Sequence, residues 1–476
     1  MEGDLPGSQT APSGAAQRLG LWLGPGIAAL MLLLPPPDGL SASGWVVAAV
    51  ALWMALWWVT EAVPLTVTAF LPFALFPLLG VASAGDTAAD YYSPVLFLLL
   101  GGGFVAIAIE KAGLHRRVAL AVAARGGATP GGLVLAFVAA TALVSMLVSN
   151  TSTALIMMPV AVALVRAGGL EPRLAAALVL AVAWGANIGG LGTIVGSPTN
   201  AIAAGLIQQG LGIRVGFLEW MAFGLPVVAL AVPLAAAILV RALRVPSRSL
   251  DRAAVLAAIG RPGPLTSLER RVLPLVGLLV TAWMLWPLVH APLGLRPVDD
   301  AVWVIIATLA LFVLPGGQGR PILEWADCHA APWAMIMMFG GGLALAAGIT
   351  DSGLAAWIGD RLAALGDLPV WLLVALVVLV VILVTEFASN VATAAGFLPV
   401  VAAVATATGV EPLALAMPAA LAASWGFMMP AGTGPNAIAY ASGQVRVAQM
   451  VRTGAIIDLA GVPLLVGACI AVASFL

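Results

Sequence analysis

The chain carries one motif twice. Ser149-Asn150-Thr151, in a run free of charged residues, returns as Ser389-Asn390-Val391, 389 − 149 = 240 positions later. The surroundings return in the same order at offsets of 236 to 241. The matched pairs are Gly101-Gly102-Gly103 with Gly340-Gly341-Gly342, Met158-Pro159 with Leu398-Pro399, Trp184-Gly185 with Trp425-Gly426, and Asn200-Ala201-Ile202 with Asn436-Ala437-Ile438. This indicates an internal duplication, which in membrane proteins is typical of transporters with a binding site between two repeats.

Composition places the chain in a membrane. Hydrophobic residues make up 62%, charged residues only 9%, and the mean hydropathy is +1.10, whereas soluble domains carry roughly 25% charged residues. The net charge is −1 and Lys111 is the single lysine, so nucleic-acid binding has no electrostatic basis. Cys328 and Cys469 lie far apart in apolar surroundings and are interpreted as small core residues.

Residues 1–18 are rich in Gly, Ser, Ala and Gln. Glu2 and Asp4 stand where a signal peptide has basic residues, so this segment is predicted to be a disordered cytoplasmic tail and not a cleaved signal.

Apolar stretches of about 20 residues mark candidate spans. Two such stretches, 131–165 and 369–408, are interrupted at their middle by the Ser-Asn motif and are interpreted as re-entrant hairpins. The remaining candidates are 19–36, 44–62, 65–82, 93–112, 174–207, 220–243, 272–290, 300–315, 332–349, 412–442 and 454–475. The predicted fold is an all-α polytopic membrane protein with about eleven transmembrane helices and two re-entrant helical hairpins.

Charge placement sets the orientation. With a cytoplasmic N-terminus, most arginines fall inside the cell, as the positive-inside rule requires. These include Arg116, Arg117, Arg125, the cluster from Arg241 to Arg271, Arg446 and Arg452. An odd number of spans then separates the two hairpins, so the repeats are predicted to have inverted topology.

Four breaks in the helices mark the candidate site, because non-helical backbone at membrane depth occurs where it lines a cavity or binds a ligand. They are the hairpin tips 149–151 and 389–391 and the unwound stretches 189–200 and 430–436. Their carbonyls, hydroxyls and amides suit a small hard cation such as sodium, and the half-helix N-termini beyond them suit an anion. The alternative for a single Ser-Asn pair is hydrogen bonding between packed helices; four breaks related by duplication favour a site.

None of the four segments contains Arg, Lys or His. An anion bound there would need co-bound cations to balance its charge. Importing a dianion against the membrane potential costs about 2.3 kcal/mol per charge for each 100 mV, and two sodium ions would cancel that cost.

Together these residues resemble a known family. Trp58-Val59-Thr60-Glu61-Ala62-Val63-Pro64, the two Gly-Gly-Gly runs, the two Ser-Asn motifs and the two Asn-Ala-Ile segments are similar to those of the divalent anion/sodium symporter family of di- and tricarboxylate carriers. The resemblance covers nearly the whole chain after residue 20.

The resemblance implies a homodimer in which a scaffold holds a mobile transport domain that moves as an elevator. It implies a first sodium site at Ser145, Ser149, Asn150 and Gly196, and a second at Thr385, Ala388, Asn390 and Gly432. Substrate carboxylates would be bound by Asn150, Thr151, Asn390, Val391, Thr433 and Gly434, with Ser197, Pro198 and Thr199 as repeat equivalents of the last two. Many bacterial members have Thr where this chain has Val391, so one hydroxyl is missing from the pocket.

The resulting hypothesis is sodium-coupled import of a C4-dicarboxylate such as succinate, malate or fumarate, in a multi-pass protein of the cell inner membrane. Sodium ions would be co-transported and no organic cofactor is expected. The alternatives within the same fold are a sulfate or citrate symporter and a sodium-independent dicarboxylate exchanger. Neither a channel nor an enzyme is indicated, since the chain lacks a charge ring and a clustered set of nucleophiles or metal ligands.

The expected domains are a tail (1–18), scaffold segments (19–125 and 246–366, the second beginning with a cytoplasmic linker) and transport segments (126–245 and 367–476).

Overall fold

The protein is an all-α membrane protein, as predicted. A computed structural model describes residues 14–125, 129–168, 171–247, 263–317, 319–362 and 368–475. The one sheet in these ranges is a ribbon of β1 (Pro315–Gly317) and β2 (Arg320–Pro321), followed by a 3₁₀ turn at Trp325–Ala330.

Twenty-one α-helices make up the rest of the described secondary structure. They are α1 (Ala15–Leu33), α2 (Ala42–Thr60), α3 (Leu65–Thr68), α4 (Leu71–Leu78), α5 (Ala84–Asp90), α6 (Pro94–Ala112), α7 (Leu114–Ala123), α8 (Pro130–Ser145), α9 (Asn150–Gly168), α10 (Pro172–Gly190), α11 (Pro198–Leu211), α12 (Phe217–Ala242), α13 (Ser267–Val289), α14 (Asp300–Val313), α15 (Trp333–Asp351), α16 (Leu354–Leu362), α17 (Val370–Thr385), α18 (Asn390–Thr408), α19 (Pro412–Ala422), α20 (Gly434–Ala441) and α21 (Val447–Ala473).

Nine of the described helices are long and apolar enough to span a membrane, and shorter apolar helices accompany them. The predicted number of about eleven spans therefore stays a prediction, as does the re-entrant path of the hairpins. Three predicted spans are divided in two. Stretch 65–82 forms α3 and α4, 174–207 forms α10 and α11, and 412–442 forms α19 and α20.

Several helices of the two halves correspond in order and length. Helices α6 and α15 have 19 residues each, α8 and α17 have 16, and α9 and α18 have 19. In both halves a short helix, α7 or α16, precedes the helix pair that carries the Ser-Asn motif. The duplication seen in the sequence is thus present in the helix order.

The second half of each repeat packs into a common body. Helix α8 packs against α10 and α12, helix α17 packs against α19 and α21, and α12 contacts α21. Between the repeats, Phe427 lies edge-on to Trp184 at 5.5 Å and to Trp425 at 5.3 Å. All three aromatic side chains are fully buried, so the centre of this body is an apolar contact between the two halves.

The two short helices α7 and α16 are anchored to residues outside this common body. The Arg117 guanidinium of α7 binds both carboxylate oxygens of Glu269 at 2.9 Å and donates to the Gly263 and Pro264 carbonyls. On α16, the Trp357 indole donates to the Asp38 carbonyl at 3.1 Å, with Arg361 stacked over the ring.

Two sequence predictions change at their edges. The tail predicted for residues 1–18 is helical from Ala15, where the Gln17 side chain accepts from the Gly14 N–H at 3.2 Å and caps α1. Residues 1–13 lie outside the described ranges. So do residues 248–262, most of the predicted linker.

Candidate functional site

The two Ser-Asn motifs begin helices. Helix α8 ends at Ser145 and α9 begins at Asn150, with the Ser149 hydroxyl accepting from the Ser152 N–H at 3.3 Å. In the second repeat, the Ser389 hydroxyl accepts from the Ala392 N–H at 3.2 Å and caps α18. A serine at the N-cap satisfies one of the free N–H groups in the first turn of its helix, which accounts for the serine of each tip.

Oxygen atoms converge beside the first tip. The Ser145 hydroxyl donates to the Ala186 carbonyl at 2.7 Å. The Asn150 amide oxygen faces acceptors alone: Ser145 Oγ at 2.9 Å, Ala186 O at 3.2 Å and Gly196 O at 3.3 Å, a set that a rotated amide would turn into hydrogen bonds from Nδ2. In either amide orientation the oxygens of Ser145, Ala186 and Gly196 lie within 3.3 Å of the Asn150 amide, and uncharged oxygens of this kind are ligands that suit a small hard cation.

The second tip repeats this arrangement. The Thr385 hydroxyl donates to the Ala423 carbonyl at 2.7 Å and lies 3.0 Å from the Asn390 amide oxygen. Thr385 is fully buried. Gly432 lies close to the carbonyls of Thr385 and Glu386, which an added Cβ would approach to 3.6 and 3.3 Å.

Glycines let the breaks approach the tips. A Cβ on Gly190 would lie 2.2 Å from the Asn150 amide oxygen, and a Cβ on Gly196 would lie 2.6 Å from the Gly190 carbonyl and 3.0 Å from that of Ser145. Real Cβ atoms do not come this close, so both positions require glycine for the first oxygen cluster to form.

One asparagine in each repeat fixes the shape of its break. The Asn200 amide donates to the Gly190 carbonyl at 2.6 Å and to the Thr193 carbonyl at 2.8 Å. Asn436 donates in the same way to Gly426 at 3.2 Å and Met429 at 3.1 Å. As acceptors of these asparagine amides, Gly190 and Gly426 are structural counterparts at an offset of 236. The repeated Trp-Gly motif in the sequence instead pairs Gly426 with Gly185.

The two breaks differ in extent. The first covers 191–197, within the predicted 189–200, but the second begins at residue 423, seven residues before the predicted start at 430. The reason is the buried Glu386 carboxylate, which accepts from the backbone N–H groups of Phe427, Met428 and Met429. Those N–H groups are consequently not available to continue α19.

At the repeat offset of 386 − 146 = 240 positions, Met146 of the first repeat corresponds to Glu386 of the second. There the Met146 carbonyl accepts from the Thr193 hydroxyl. Next to Glu386 lies the Asp458 carboxyl of α21, within hydrogen-bonding range. Asp458 is buried at 3% exposure, and neither of its oxygens has a geometrically acceptable partner among the described residues.

The repeats meet at the site. Thr151 of the first tip packs against Gly434 of the second break, where an added Cβ would lie 2.3 Å from the threonine hydroxyl. The Asn187 amide of α10 donates to the Thr433 hydroxyl at 3.0 Å and to the Asn436 amide oxygen at 3.3 Å. Residues of both halves therefore surround a common region.

The remaining predicted site residues are placed less closely. Ser149 and Pro198 line a cavity of about 210 Å³ that also reaches Glu110. The Ser197 hydroxyl caps α11 by accepting from the Thr199 N–H at 3.3 Å. Ala388 and Val391 are buried at 4% and 8% exposure. Among the described residues, no side-chain contact joins Ser197, Thr199, Ala388 or Val391 to either oxygen cluster.

Sequence reasoning missed several contributors. Asn187 and the carbonyls of Ala186 and Ala423 were not predicted to belong to the site, and Gly190 was predicted only as part of the unwound stretch 189–200. Asn187 had one usable signal, since it is the only uncharged polar side chain in the apolar run from Leu174 to Gly190.

Two acidic side chains, Glu386 and Asp458, lie beside the second break. The described residues contain no cluster of three or more His, Cys, Asp and Glu side chains able to hold a metal ion. Cys328 and Cys469 are both free and buried, in agreement with their interpretation as core residues.

Known proteins are similar to this chain in sequence or in fold. Residues 19–475 match the model of the sodium:sulfate symporter transmembrane region. The chain is 35% identical to the sodium-dependent dicarboxylate transporter SdcS of Staphylococcus saprophyticus over 94% of its length and 90% of the relative, and 35% identical to SdcS of Staphylococcus aureus over 94% and 89%.

Two solved transporters share the fold at low identity. The YdaH transporter of Alcanivorax borkumensis aligns with a TM-score of 0.58 at 16% identity, covering 97% of this chain and 98% of that one. MtrF of Neisseria gonorrhoeae aligns with a TM-score of 0.60 at 14% identity, covering 95% and 94%. The chain therefore belongs to the divalent anion/sodium symporter family and is a membrane transporter rather than an enzyme.

Proposed function

We propose that the protein is a sodium-coupled symporter that imports a C4-dicarboxylate such as succinate, malate or fumarate. The observation that carries this proposal is the duplicated oxygen cluster, Ser145–Asn150–Ala186 in one repeat and Thr385–Asn390–Ala423 in the other. The names of the Staphylococcus relatives support both the sodium dependence and the dicarboxylate.

The clusters suit sodium as a co-transported substrate. Hydroxyl, amide and backbone carbonyl oxygens are hard ligands that carry no net charge. A neutral site binds a monovalent cation without a carboxylate, and so the ion brings a full positive charge into the pocket. The Gly196 and Gly432 carbonyls complete the proposed first and second sites, with Ser149 and Ala388 as further ligands.

The dicarboxylate would lie between the tips. Asn150 and Asn390 begin α9 and α18, whose N-terminal N–H groups and dipoles favour an anion. Thr151, Thr433 and Gly434 meet at the same place from the two repeats. Because no basic side chain stands in these segments, the co-bound sodium ions would supply the positive charge that holds the second carboxylate.

We assign Val391 to the wall of this pocket, with Ser197, Pro198 and Thr199 as a more distant part of it. Val391 presents methyl groups where a threonine would present a hydroxyl, which narrows the hydrogen-bonding options for a substituent on the acid.

The transport cycle would be an elevator movement in a homodimer of the inner membrane, with the N-terminus in the cytoplasm. The packing of α8, α10 and α12 with α17, α19 and α21 supports a mobile body formed by 126–245 and 367–476. The anchors of α7 at Glu269 and of α16 at Asp38 support a scaffold formed by 19–125 and 246–366. In this scaffold α7 and α16 would connect the fixed helices to the mobile body.

The test is uptake of labelled succinate into proteoliposomes under an inward sodium gradient, compared with potassium or choline. Excess unlabelled malate, citrate or sulfate identifies the preferred anion. Sodium-dependent uptake blocked by malate alone is expected. Sulfate uptake without succinate uptake would replace the substrate, and uptake that ignores sodium but needs internal dicarboxylate would make the protein an exchanger.

A further inference from the structure

Asn187 connects the two repeats by side-chain hydrogen bonds. It lies on α10, is fully buried, and its amide donates to the Thr433 hydroxyl at 3.0 Å and to the Asn436 amide oxygen at 3.3 Å. Thr433 caps α20 and accepts from the Asn436 N–H. Asn187 thus holds the residue that directly follows Gly432, whose carbonyl belongs to the proposed second sodium site.

The neighbouring residue on α10 belongs to the first sodium site. The Ala186 carbonyl accepts from the Ser145 hydroxyl at 2.7 Å and faces the Asn150 amide oxygen at 3.2 Å. Two consecutive residues of one helix turn therefore contact the first oxygen cluster and the segment of the second. A shift of this turn caused by an ion at one cluster would be passed to the other through the Asn187 amide.

The second repeat lacks the reciprocal connection. Ala423 plays the part of Ala186, so Ser424 is the counterpart of Asn187 by role, at an offset of 424 − 187 = 237. Ser424 is buried at 1% exposure, and its hydroxyl has no partner among the described residues. The Asn200 amide oxygen, which would be its target by symmetry, is likewise unpartnered in that part of the chain.

Packing stability does not account for Asn187. Its own amide oxygen is buried without a partner among the described residues, and such a group is destabilising compared with an apolar side chain of similar shape. The two bonds it does make both go to one short segment of the other repeat, which is a positioning arrangement.

We propose that Asn187 is the positioning residue that couples the two sodium sites, so that an ion bound at the first site raises sodium affinity at the second. This rests on the proposed function, because it requires both clusters to bind sodium. Coupling between sites is reciprocal and is commonly about 5- to 150-fold in affinity. Removing the amide should uncouple the sites without removing a sodium ligand.

The test is the sodium dependence of succinate uptake by full-length protein in proteoliposomes. Wild-type protein should give a Hill coefficient approaching about 2, and Asn187→Ala should bring it toward about 1, with a rise in the sodium concentration for half-maximal uptake of about 5-fold or more. Ser424→Ala, at the matching position of the other repeat, should leave the coefficient at the wild-type value.

A double-mutant cycle distinguishes loss of coupling between the sodium sites from a general loss of transport activity. If Asn187 acts through Thr433, the Asn187→Ala and Thr433→Val effects on sodium affinity should not add, and the double variant should resemble the more affected single variant. Additive effects, or a lowered uptake rate with an unchanged Hill coefficient, would overturn the proposal. If Asn187→Ala does not fold, Asn187→Ser takes its place with the same expected outcomes. The serine side chain is polar but too short to reach the Thr433 hydroxyl from the same backbone position.

The wild-type curve distinguishes two failures. Uptake independent of sodium would refute the proposed function itself. Sodium-dependent, cooperative uptake that survives in Asn187→Ala would refute only the coupling role.

Discussion

Replacing Gly190 by alanine should disable the first sodium site while leaving the fold intact. The added Cβ would lie 2.2 Å from the Asn150 amide oxygen and 2.9 Å from the carbon and nitrogen of the same amide. Because these atoms are at the end of a side chain, Asn150 can rotate away, and the backbone need not move. Gly190 is helical with a φ in the ordinary range, so alanine introduces no backbone strain.

The size of the effect follows from the contact that is lost. A hydrogen bond or equivalent polar contact to a charged group contributes about 1.5 to 3 kcal/mol. At about 1.4 kcal/mol per tenfold change in affinity, displacement of the Asn150 oxygen should weaken sodium binding about 10- to 150-fold. Helix propensity acts in the opposite direction, since alanine favours the helix over glycine by about 1 kcal/mol, and the variant should therefore fold.

The assay is sodium-dependent succinate uptake together with the shift in melting temperature caused by sodium in detergent. Gly396→Ala is the matched control, since it lies within α18 and an added Cβ meets no atom within 4 Å. Gly190→Ala with wild-type sodium dependence, or with a loss of folding equal to its loss of uptake, would refute the argument that Gly190 exists to admit Asn150.

Three further variants test other parts of the structure. Glu269→Gln should lower the melting temperature, because it removes the charge from the bidentate pair with Arg117 that anchors α7. Asp458→Asn should raise the melting temperature, because a neutral amide can donate to the Glu386 carboxylate without the cost of burying a second ionisable acid beside it. Burial, with the negative charges of Asp351 and Asp86, raises the pKa of Asp90 to about 6. The contribution of Asp90 to stability should therefore fall by about 1 to 2 kcal/mol as the pH rises from about 4 through 6, and Asp90→Asn should remove that fall.

The sign for Asp90 follows from linkage. A carboxyl whose folded pKa is raised above its unfolded value stabilises the fold fully below the unfolded pKa and loses that contribution as the pH rises through the folded pKa. Melting curves between pH 4 and 8 measure it. A wild-type curve parallel to that of Asp90→Asn would contradict the assignment, and Asp360→Asn, an exposed carboxyl on α16, serves as the control for both aspartate variants.

The sequence alone was sufficient to identify the two hairpin tips of the site, but not the residues of other helices that pack against them. Ser149 and Ser389 could be identified because the Ser-Asn motif and its neighbours repeat at a nearly fixed offset within apolar stretches, and both serines cap helices in the structure. The approach of Gly190 to Asn150 could not be predicted, since it depends on how α10 crosses the first tip. Likewise the bonds of Asn187 join residues 246 and 249 positions apart, which no local pattern reveals.

The start of the second break shows how a tertiary contact overrides propensity. Residues 423–429 follow an alanine-rich helix and contain no proline before Pro430, so the local sequence predicts that α19 continues. The buried Glu386 carboxylate binds the N–H groups of three consecutive residues there. Charge-assisted hydrogen bonds of this kind are about twice as strong as neutral ones, and they outweigh helix propensity.

The measurement that tests the central claim most directly is succinate-driven uptake of radiolabelled sodium into proteoliposomes, for wild-type protein and for Ser145→Ala and Thr385→Ala. Each hydroxyl stands at the same place in one of the two oxygen clusters. The account predicts that succinate accelerates sodium entry in the wild type and that each variant needs a higher sodium concentration, with the melting-temperature shift caused by sodium reduced in both. Sodium entry unaffected by succinate, or retained at wild-type sodium concentrations in both variants, would contradict it.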